Sequence, residues 1–284
     1  MQVINHDSTN YSLCDTYKIF TIKNVIHYTL SNCNSYKIHY LNEANNENYY
    51  LILDFPFSSA LFHWIAECAI YFNLFFKLKE QYKNIKMVFL HRREYHNIIC
   101  EYFNIFKDDY VYAFPKNNNC IFTLPISPLN NTYINEDYKL YSTYFIKSIN
   151  GIYDKTIDLL ILPRQKKDNY HNRINNCDDI LSNLKKATVL NTDGIDSFKT
   201  QISLVQSSKT IILTDGSPFF LNGIIAKNSK IIVLGDVVIS QSNQFPKLKY
   251  YFDLILENNT VIFIPYTNSF YNNVFLYKDI KDYL

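Results

Sequence analysis

His63 and Glu67, in the stretch "FPFSSALFHWIAECAIYF", have the types and the spacing to do acid–base chemistry. They are four residues apart, so a helix places both on one face. The rest of that helix is almost entirely apolar, so the two ionisable side chains must be paired or solvated in a cleft. A histidine oriented by a carboxylate can serve as a general base. A buried structural hydrogen bond and a two-ligand metal site are the alternatives.

A second group lies in the loop "RQKKDNYHNRINN", which follows the apolar segment "DLLILP". Arg164 comes directly after the predicted strand, and Arg173 lies near the start of the next predicted helix. Two arginines can bind a diphosphate through bidentate hydrogen bonds, which lysine makes less specifically. A solvated charged loop is the other interpretation, and Lys166 and Lys167 fit it.

A third group is the turn in "TIILTDGSPFF", where a strand is predicted to pass into a helix. Gly216 lets the backbone approach a ligand, Ser217 is the predicted N-cap, and Pro218 suits the first helical position. Unpaired N–H groups and the helix dipole would then favour an anion. An ordinary, well-capped turn shows the same pattern, because neither a G-x-G-x-x-G nor a Walker sequence is present.

Alternating strands and helices are expected to position the second and third groups. Apolar strands "DLLILP", "ATVLN", "TIILT", "KIIVLG" and "VIFIPY" alternate with helices predicted over residues 174–186, 195–208, 218–226 and in "YFDLILENN". This alternation predicts a parallel sheet covered on both faces, in a Rossmann-like domain over residues 151–284. Ligands bind such sheets beyond the carboxyl ends of the strands, where the arginine loop and the turn are expected.

An N-terminal α/β or α+β domain is predicted over residues 1–150. Strands are predicted in residues 17–30 and 36–41 and in "YYLILDF", "KMVFLH", "YVYAF" and "CIFTLP". A long helix is predicted from Ser58 or Ser59 to about residue 83, and two more over residues 93–106 and 135–149. The long helix carries His63 and Glu67.

The composition limits the classes of function. With 28 Lys and Arg against 26 Asp and Glu, the net charge of +2 and the absence of a long basic run give nucleic-acid binding little support. Six scattered cysteines without a C-x-x-C pair suggest free thiols rather than a metal site. No apolar stretch reaches the roughly 20 residues of a membrane span, and the polar start does not resemble a signal peptide. A soluble, cytoplasmic protein without a transmembrane segment is expected.

Taken in order, the three groups resemble the family 61 glycosyltransferases, which include plant xylan xylosyl- and arabinosyltransferases and animal O-linked N-acetylglucosaminyltransferases. The family pattern is an aromatic-His-aromatic-x-x-Glu stretch, a strand ending in Arg, an Arg opening a helix, a helix containing Gln, and a His-Gly-(Ala/Ser) turn followed by Asn. The matching residues, across about residues 55–235, are Phe62, His63, Trp64, Glu67, Arg164, Arg173, Gln201, Gln206, Asp215, Gly216, Ser217 and Asn222. Asp215 stands where the family usually has histidine.

The resemblance implies a GT-B-like α/β fold, with two Rossmann-like domains facing a cleft and the N-terminal one reduced. The last helix is expected to pack back on the N-terminal domain. The implied activity is inverting transfer of a sugar from a nucleotide-sugar, expected to be a UDP-sugar, to a hydroxyl of a glycan or glycoconjugate. Protein groups would neutralise the leaving diphosphate, so neither a metal ion nor a resident cofactor is expected.

The implied roles follow the same order along the chain. His63 is the expected base and Glu67 its orienting partner, with Asp54 as a second candidate base. The diphosphate is expected to bind Arg164, Arg173, Gly216 and Ser217, while Asp215 and Asn222 position the donor. The alternative is a non-catalytic protein of the same fold that binds a nucleotide or a glycan.

Overall fold

The chain divides into two compact units, Met1–Ser148 and Ile149–Leu284. A computed structural model describes residues 2–6, 11–15, 18–22, 25–29, 35–40, 49–53, 61–89, 92–112, 119–123, 136–163, 177–191, 197–266 and 274–284. Seven residues named in the sequence analysis lie outside the described residues, namely Asp54, Ser58, Ser59, Arg164, Lys166, Lys167 and Arg173.

The N-terminal unit contains a mixed seven-stranded sheet and a separate two-stranded one. Its strands are β1 (Gln2–His6), β2 (Tyr11–Asp15), β3 (Lys18–Ile22), β4 (Val25–Thr29), β5 (Ser35–Tyr40), β6 (Tyr49–Ile52), β7 (Ile85–Val88), β8 (Tyr110–Val111) and β9 (Asn119–Thr123). The order in the larger sheet is β1-β4-β5-β9-β6-β7-β8. Strands β9, β6, β7 and β8 run parallel, whereas β1, β4, β5 and β9 pair antiparallel. Only the parallel half corresponds to a Rossmann-like arrangement.

The helices of this unit are α1 (Leu61–Glu67), α2 (Phe72–Gln81), α3 (Glu94–Tyr102) and α4 (Glu136–Ile149). The prediction of one long helix to about residue 83 is wrong, because a 3₁₀ turn at Ala69–Tyr71 separates α1 from α2. There the Tyr71 N–H donates to the Cys68 carbonyl at 3.0 Å. A straight helix on a sheet buries one stripe, whereas every residue from 64 to 72 is buried. The tighter turn changes the rotation per residue and so shifts the buried stripe between the two helices.

The C-terminal unit is built on a five-stranded sheet in which every pairing is parallel, as the sequence predicts. Its strands are β10 (Ile157–Leu162), β11 (Thr188–Val189), β12 (Ser208–Thr214), β13 (Lys230–Leu234) and β14 (Thr260–Ile264). Its helices are α5 (Asp178–Asn183), α6 (Phe198–Gln206), α7 (Ser217–Ile225), α8 (Val237–Gln244), α9 (Pro246–Asn258) and α10 (Tyr277–Ile280). Helix α8 was not predicted.

The strands lie in the order β11-β10-β12-β13-β14. All five run parallel, but the side of the sheet on which the chain adds its next strand changes between β10 and β12. The chain first adds β11 outside β10, then returns to the other side of β10 and continues outward through β13 and β14. Such a reversal opens a crevice at the carboxyl ends of the two strands, where ligands of open α/β sheets bind. The fold therefore places the ends of β10 and β12 at a topological switch point.

Apolar side chains cover both faces of this sheet. On one face a buried cluster joins the strands to α5 and α10 through Ile161, Cys177, Ile180, Ile212, Ile232, Leu234, Ile264, Phe275 and Ile280. Phe219 of α7 packs edge-on against Phe263 of β14 and Phe252 of α9. The unit therefore has a hydrophobic core of its own. In the part of the chain that the structure describes, each helix is too short or too polar to cross a lipid bilayer.

Candidate functional site

The turn between β12 and α7 lies at the switch point of the C-terminal sheet. Gly216 has φ 90° and ψ −140°, a conformation that glycine adopts with little strain and other residues rarely adopt. It forms the N-cap of α7, so the prediction that Ser217 is the cap is wrong by one residue, and Pro218 is the second helical residue rather than the first. The helix therefore starts one residue earlier than predicted, directly after Gly216, whose own backbone is not helical. Pro218 remains compatible, since N–H groups of the first turn have no partner within the helix.

Unpaired backbone donors remain at this helix start. No side chain caps α7. The Gly216 N–H donates to Asp215 Oδ1 at 2.6 Å. Among the described residues, the N–H groups of Ser217 and Phe219 have no acceptor. These two donors lie at the positive end of the helix dipole and can bind an anion.

Asp215 is buried, with 3% of its surface exposed, and its carboxylate bonds to the backbone of a second helix. Oδ2 accepts from the Val237 N–H at 2.7 Å, and Oδ1 accepts from the Val238 N–H at 3.3 Å. Val237 and Val238 open α8, so the carboxylate caps that helix and complements its dipole. Asp215 thus ties the turn after β12 to the start of α8.

The ends of β12, β13 and β14 are joined by close packing as well as by hydrogen bonds. The Asp215 N–H donates to the Leu234 carbonyl at 3.1 Å, and the Gly235 N–H donates to the Ile264 carbonyl at 2.8 Å. Gly235 has φ 121°, and a Cβ there would lie 2.6 Å from Tyr266 Oη and 2.7 Å from Asp215 Cβ. Only glycine fits this backbone and this space.

Asn222 lies beneath the turn and supports it. Its Oδ1 accepts from Gln201 Nε2 at 2.6 Å, and its Nδ2 donates to the Pro218 carbonyl at 2.8 Å. Asn222 and Gln201 are each 1% exposed. The pair links α6 to the first turn of α7, so Asn222 is placed to act on a ligand through the backbone of the turn.

Gln206 performs a similar structural task at the other end of α7. Its Nε2 donates to the carbonyls of Ile149 and Ile225 at 3.1 and 3.2 Å, and its Oε1 accepts from the Gly151 N–H at 3.0 Å. The two glutamines that match the family pattern are thus internal supports of this unit.

His63 and Glu67 share a face of α1, as their spacing predicts. His63 Nδ1 lies 3.6 Å from Glu67 Oε1, slightly beyond hydrogen-bond distance. The His63 side chain is 38% exposed and the Glu67 side chain 7%. The imidazole can therefore be reached from solvent, while the carboxylate is held beside it within the unit.

An aromatic column next to this pair was not predicted. Trp64 stacks on the buried His96 with ring centroids 4.5 Å apart, and His96 stacks on Tyr112 at 5.9 Å. The guanidinium of Arg92 lies 5.8 Å from the Tyr112 ring centroid. These residues lie in α1, in and just before the start of α3, and directly after β8, and no local sequence pattern connects them. The column holds the helix that carries His63 against the carboxyl ends of β7 and β8.

The described residues contain no cluster of three or more His, Cys, Asp or Glu side chains that could hold a metal ion. Both arginines predicted to bind the diphosphate lie outside those residues, although Arg164 directly follows Pro163 at the end of β10 in the sequence. No protein-family model matches the chain, and no curated protein gives a significant match. The fold and the geometry of the site therefore carry the proposal of function.

Proposed function

We propose that the protein is an inverting glycosyltransferase that moves a sugar from a nucleotide-sugar, expected to be a UDP-sugar, to a hydroxyl of a glycan or glycoconjugate. One observation carries this proposal. The Gly216 turn and the uncapped start of α7 lie at the topological switch point of a five-stranded parallel sheet. This is the position at which open α/β sheets bind phosphate-containing ligands.

The donor diphosphate would bind at this turn. The N–H groups of Ser217 and Phe219 supply hydrogen bonds, and Arg164 and Arg173 supply positive charge through bidentate contacts. These groups stabilise the negative charge that develops as the diphosphate leaves. Asp215 and Asn222 act from beneath, because their side chains fix the backbone that forms the turn.

In the proposed reaction the oxygen of the acceptor hydroxyl attacks the anomeric carbon on the face opposite the diphosphate. The new bond from the acceptor oxygen to the anomeric carbon forms as the bond between that carbon and the phosphate oxygen breaks. The electron pair of the broken bond leaves with the nucleoside diphosphate. His63 accepts the hydroxyl proton, and Glu67 orients the imidazole and stabilises the imidazolium. A 3.6 Å separation needs to shorten only slightly to become a hydrogen bond, as is common when a substrate binds.

The donor site is tested by Arg164→Ala, with Lys166→Ala as the control from the same loop. UDP release with UDP-sugar donors and UDP affinity by calorimetry are the two measurements. Loss of charge-assisted hydrogen bonds should weaken binding roughly 10- to 100-fold in Arg164→Ala only. Unchanged turnover and affinity in Arg164→Ala would rule out the role given to this arginine.

The base is tested separately by His63→Ala. Loss of a general base should lower kcat about 10²- to 10⁴-fold while leaving the affinity for UDP unchanged. Asp54→Ala tests the second candidate base in the same assay. A His63→Ala variant with wild-type kcat, or one that loses only UDP affinity, would contradict the assignment.

A non-catalytic nucleotide- or glycan-binding protein is the second candidate. The observation that favours it is the engagement of Asp215 by α8, at the position where the resembled family has histidine. Binding of nucleoside diphosphates in a thermal-shift panel, without sugar transfer or donor hydrolysis, would support this alternative.

A further inference from the structure

Asp236 occupies the N-cap position of α8 but does not cap that helix. Aspartate is among the most favoured N-cap residues, because its carboxylate normally accepts from the first N–H groups. Here Asp215 accepts from Val237 and Val238 instead. Among the described residues, the partly exposed Asp236 carboxylate makes no hydrogen bond or ion pair. The Asp236 carboxylate, a strong hydrogen-bond acceptor, is thus not used to cap its own helix.

Asp236 follows β13, the strand next to the proposed diphosphate site, by two residues. Strands β12 and β13 pair in parallel with Thr214 opposite Leu234, so Gly216 and Asp236 each follow the last paired residue by two positions. Adjacent strands are about 4.8 Å apart. The bond between Asp215 Oδ2 and the Val237 N–H keeps the two chain segments together beyond the strand ends. Asp236 therefore lies beside the Gly216 turn.

The backbone that carries Asp236 is well fixed. Gly235 is held at φ 121° between Tyr266 and Asp215, and its N–H bonds to Ile264. A residue on such a fixed backbone can discriminate between ligands, because binding has to order only its side chain and not its backbone as well.

In topology and spacing this arrangement matches a nucleotide-binding β-α-β unit. In such units a phosphate binds at the glycine turn after the first strand, and an acidic residue about 20 residues later, at the end of the next strand, accepts from ribose hydroxyls. Asp236 comes 20 residues after Gly216, and β13 is both the next strand in the chain and the direct neighbour of β12. The position of Asp236 and its acidic side chain thus both match the pattern, although the G-x-G-x-x-G sequence is missing.

We propose that Asp236 binds the ribose of the nucleotide, its carboxylate accepting hydrogen bonds from the 2′- and 3′-hydroxyl groups. This inference rests on the proposed function, since it requires a nucleoside diphosphate at the Gly216 turn. It makes the protein selective for ribonucleotides over 2′-deoxyribonucleotides. Asp236 is a specificity-determining residue, distinct from the groups that bind the diphosphate.

Calorimetry on the full chain tests the inference with UDP, ADP, GDP and CDP and their 2′-deoxy counterparts. For the base that binds tightest, the wild type should prefer the ribonucleotide roughly 10- to 100-fold, as expected for hydrogen bonds to a charged acceptor. Asp236→Ala should bind both forms equally, and more weakly than the wild type binds the deoxy form, because the hydrogen bond from the 3′-hydroxyl is lost as well. Asp253→Ala, an exposed aspartate of α9, is the control and should keep the preference.

The outcomes separate this inference from the proposed function. A folded wild-type protein that binds no nucleoside diphosphate would overturn both. Binding without a preference for ribose, or a preference that persists in Asp236→Ala, would overturn the role of Asp236 and leave the diphosphate site standing. If Asp236→Ala does not fold, Asp236→Asn provides the same comparison, because a neutral amide accepts more weakly than a carboxylate and donates from its other end. A preference reduced in Asp236→Asn supports the role, and a preference that persists at wild-type strength overturns it.

Discussion

At the scale of single residues, Asp215 performs a task that the histidine of the resembled family cannot. Its carboxylate accepts from the N–H groups of Gly216, Val237 and Val238 at the same time. A neutral imidazole has one acceptor nitrogen, and an imidazolium has none. At this position the protein therefore has a side chain that joins the turn to the next helix, in place of a histidine that could contact a ligand.

Replacing Asp215 by Ala should lower the free energy of unfolding by about 1–3 kcal/mol, because the cap of α8 is lost and buried N–H groups are left without an acceptor. Asp215→His should be destabilised to a similar extent. Urea denaturation measures both. Asp253→Ala, which removes only an exposed ion pair with Lys249, should cost about 0.5 kcal/mol or less. Equal stabilities for Asp215→Ala and Asp253→Ala would contradict the capping role.

The buried thiol of Cys100 makes stability depend on alkaline pH. Burial raises the pKa of this thiol well above its ordinary value of 9.0, and the nearby negative charge of Asp109 raises it further. Above about pH 9 the unfolded chain releases this proton while the folded protein keeps it. The contribution is thus complete below pH 9 and falls by up to about 1.4 kcal/mol per pH unit above it.

Cys100→Ala isolates this effect. The difference in unfolding free energy between the wild type and Cys100→Ala should be constant from pH 7 to 8.5 and should shrink between about pH 9 and 10.5. Urea denaturation at each pH provides the values. A difference that stays constant across the whole range would show that the thiol titrates alike in both states.

At the scale of elements, the sequence predicts the C-terminal unit well because its strands carry their own signal. Runs such as "TIILT" and "KIIVLG" are apolar and rich in β-branched residues, as strands buried on both faces must be. The position of the Gly216 turn at a strand end followed directly. Helix α8 was missed because its cap comes from Asp215, 22 residues before Val237, and its first residues, "VVI", favour a strand.

Other elements depend on contacts that no local pattern contains. The break between α1 and α2 arises because every residue from 64 to 72 is buried, which the composition of the segment does not reveal. The column of Trp64, His96 and Tyr112 joins three elements that are distant in the sequence. The free carboxylate of Asp236 became visible only when the structure showed a different residue capping α8.

Gln206 connects α6 to the end of α7 and to the first residues of the unit, so its removal should affect several elements together. Gln206→Ala leaves the Gly151 N–H and the carbonyls of Ile149 and Ile225 without this partner. We expect a loss of about 1–3 kcal/mol in the free energy of unfolding. Gln244→Ala, at an exposed site at the end of α8, is the control and should change stability by less than about 0.5 kcal/mol. Urea denaturation measures the free energy of unfolding of both variants. Equal values for Gln206→Ala and Gln244→Ala would contradict the connecting role of Gln206.

At the scale of the whole molecule, the C-terminal unit has the features of an independent domain. It has its own apolar core and a complete parallel sheet. Its first residues are held from within the unit, by Gln206 at Ile149 and by Lys155, which donates to the Ser208 carbonyl and to Ser229 Oγ, each at 2.8 Å. A fragment of residues 149–284 retains all of these contacts.

We expect this fragment to fold and to unfold cooperatively in urea, with far-UV circular dichroism as the measurement. A matched fragment of residues 156–284 lacks Ile149, Gly151 and Lys155 and should be less stable. A 149–284 fragment without a cooperative transition would show that the C-terminal unit needs the rest of the chain.

Trp64 is the only tryptophan of the chain, and its column lies entirely in the N-terminal unit. It is 1% exposed and stacked on His96, so its emission reports on the packing of that unit alone. Tryptophan fluorescence and circular dichroism therefore separate the unfolding of the two units in one sample. A change in tryptophan emission on adding UDP would therefore be an optical signal that the nucleotide alters the packing of the helix that carries His63, the proposed base.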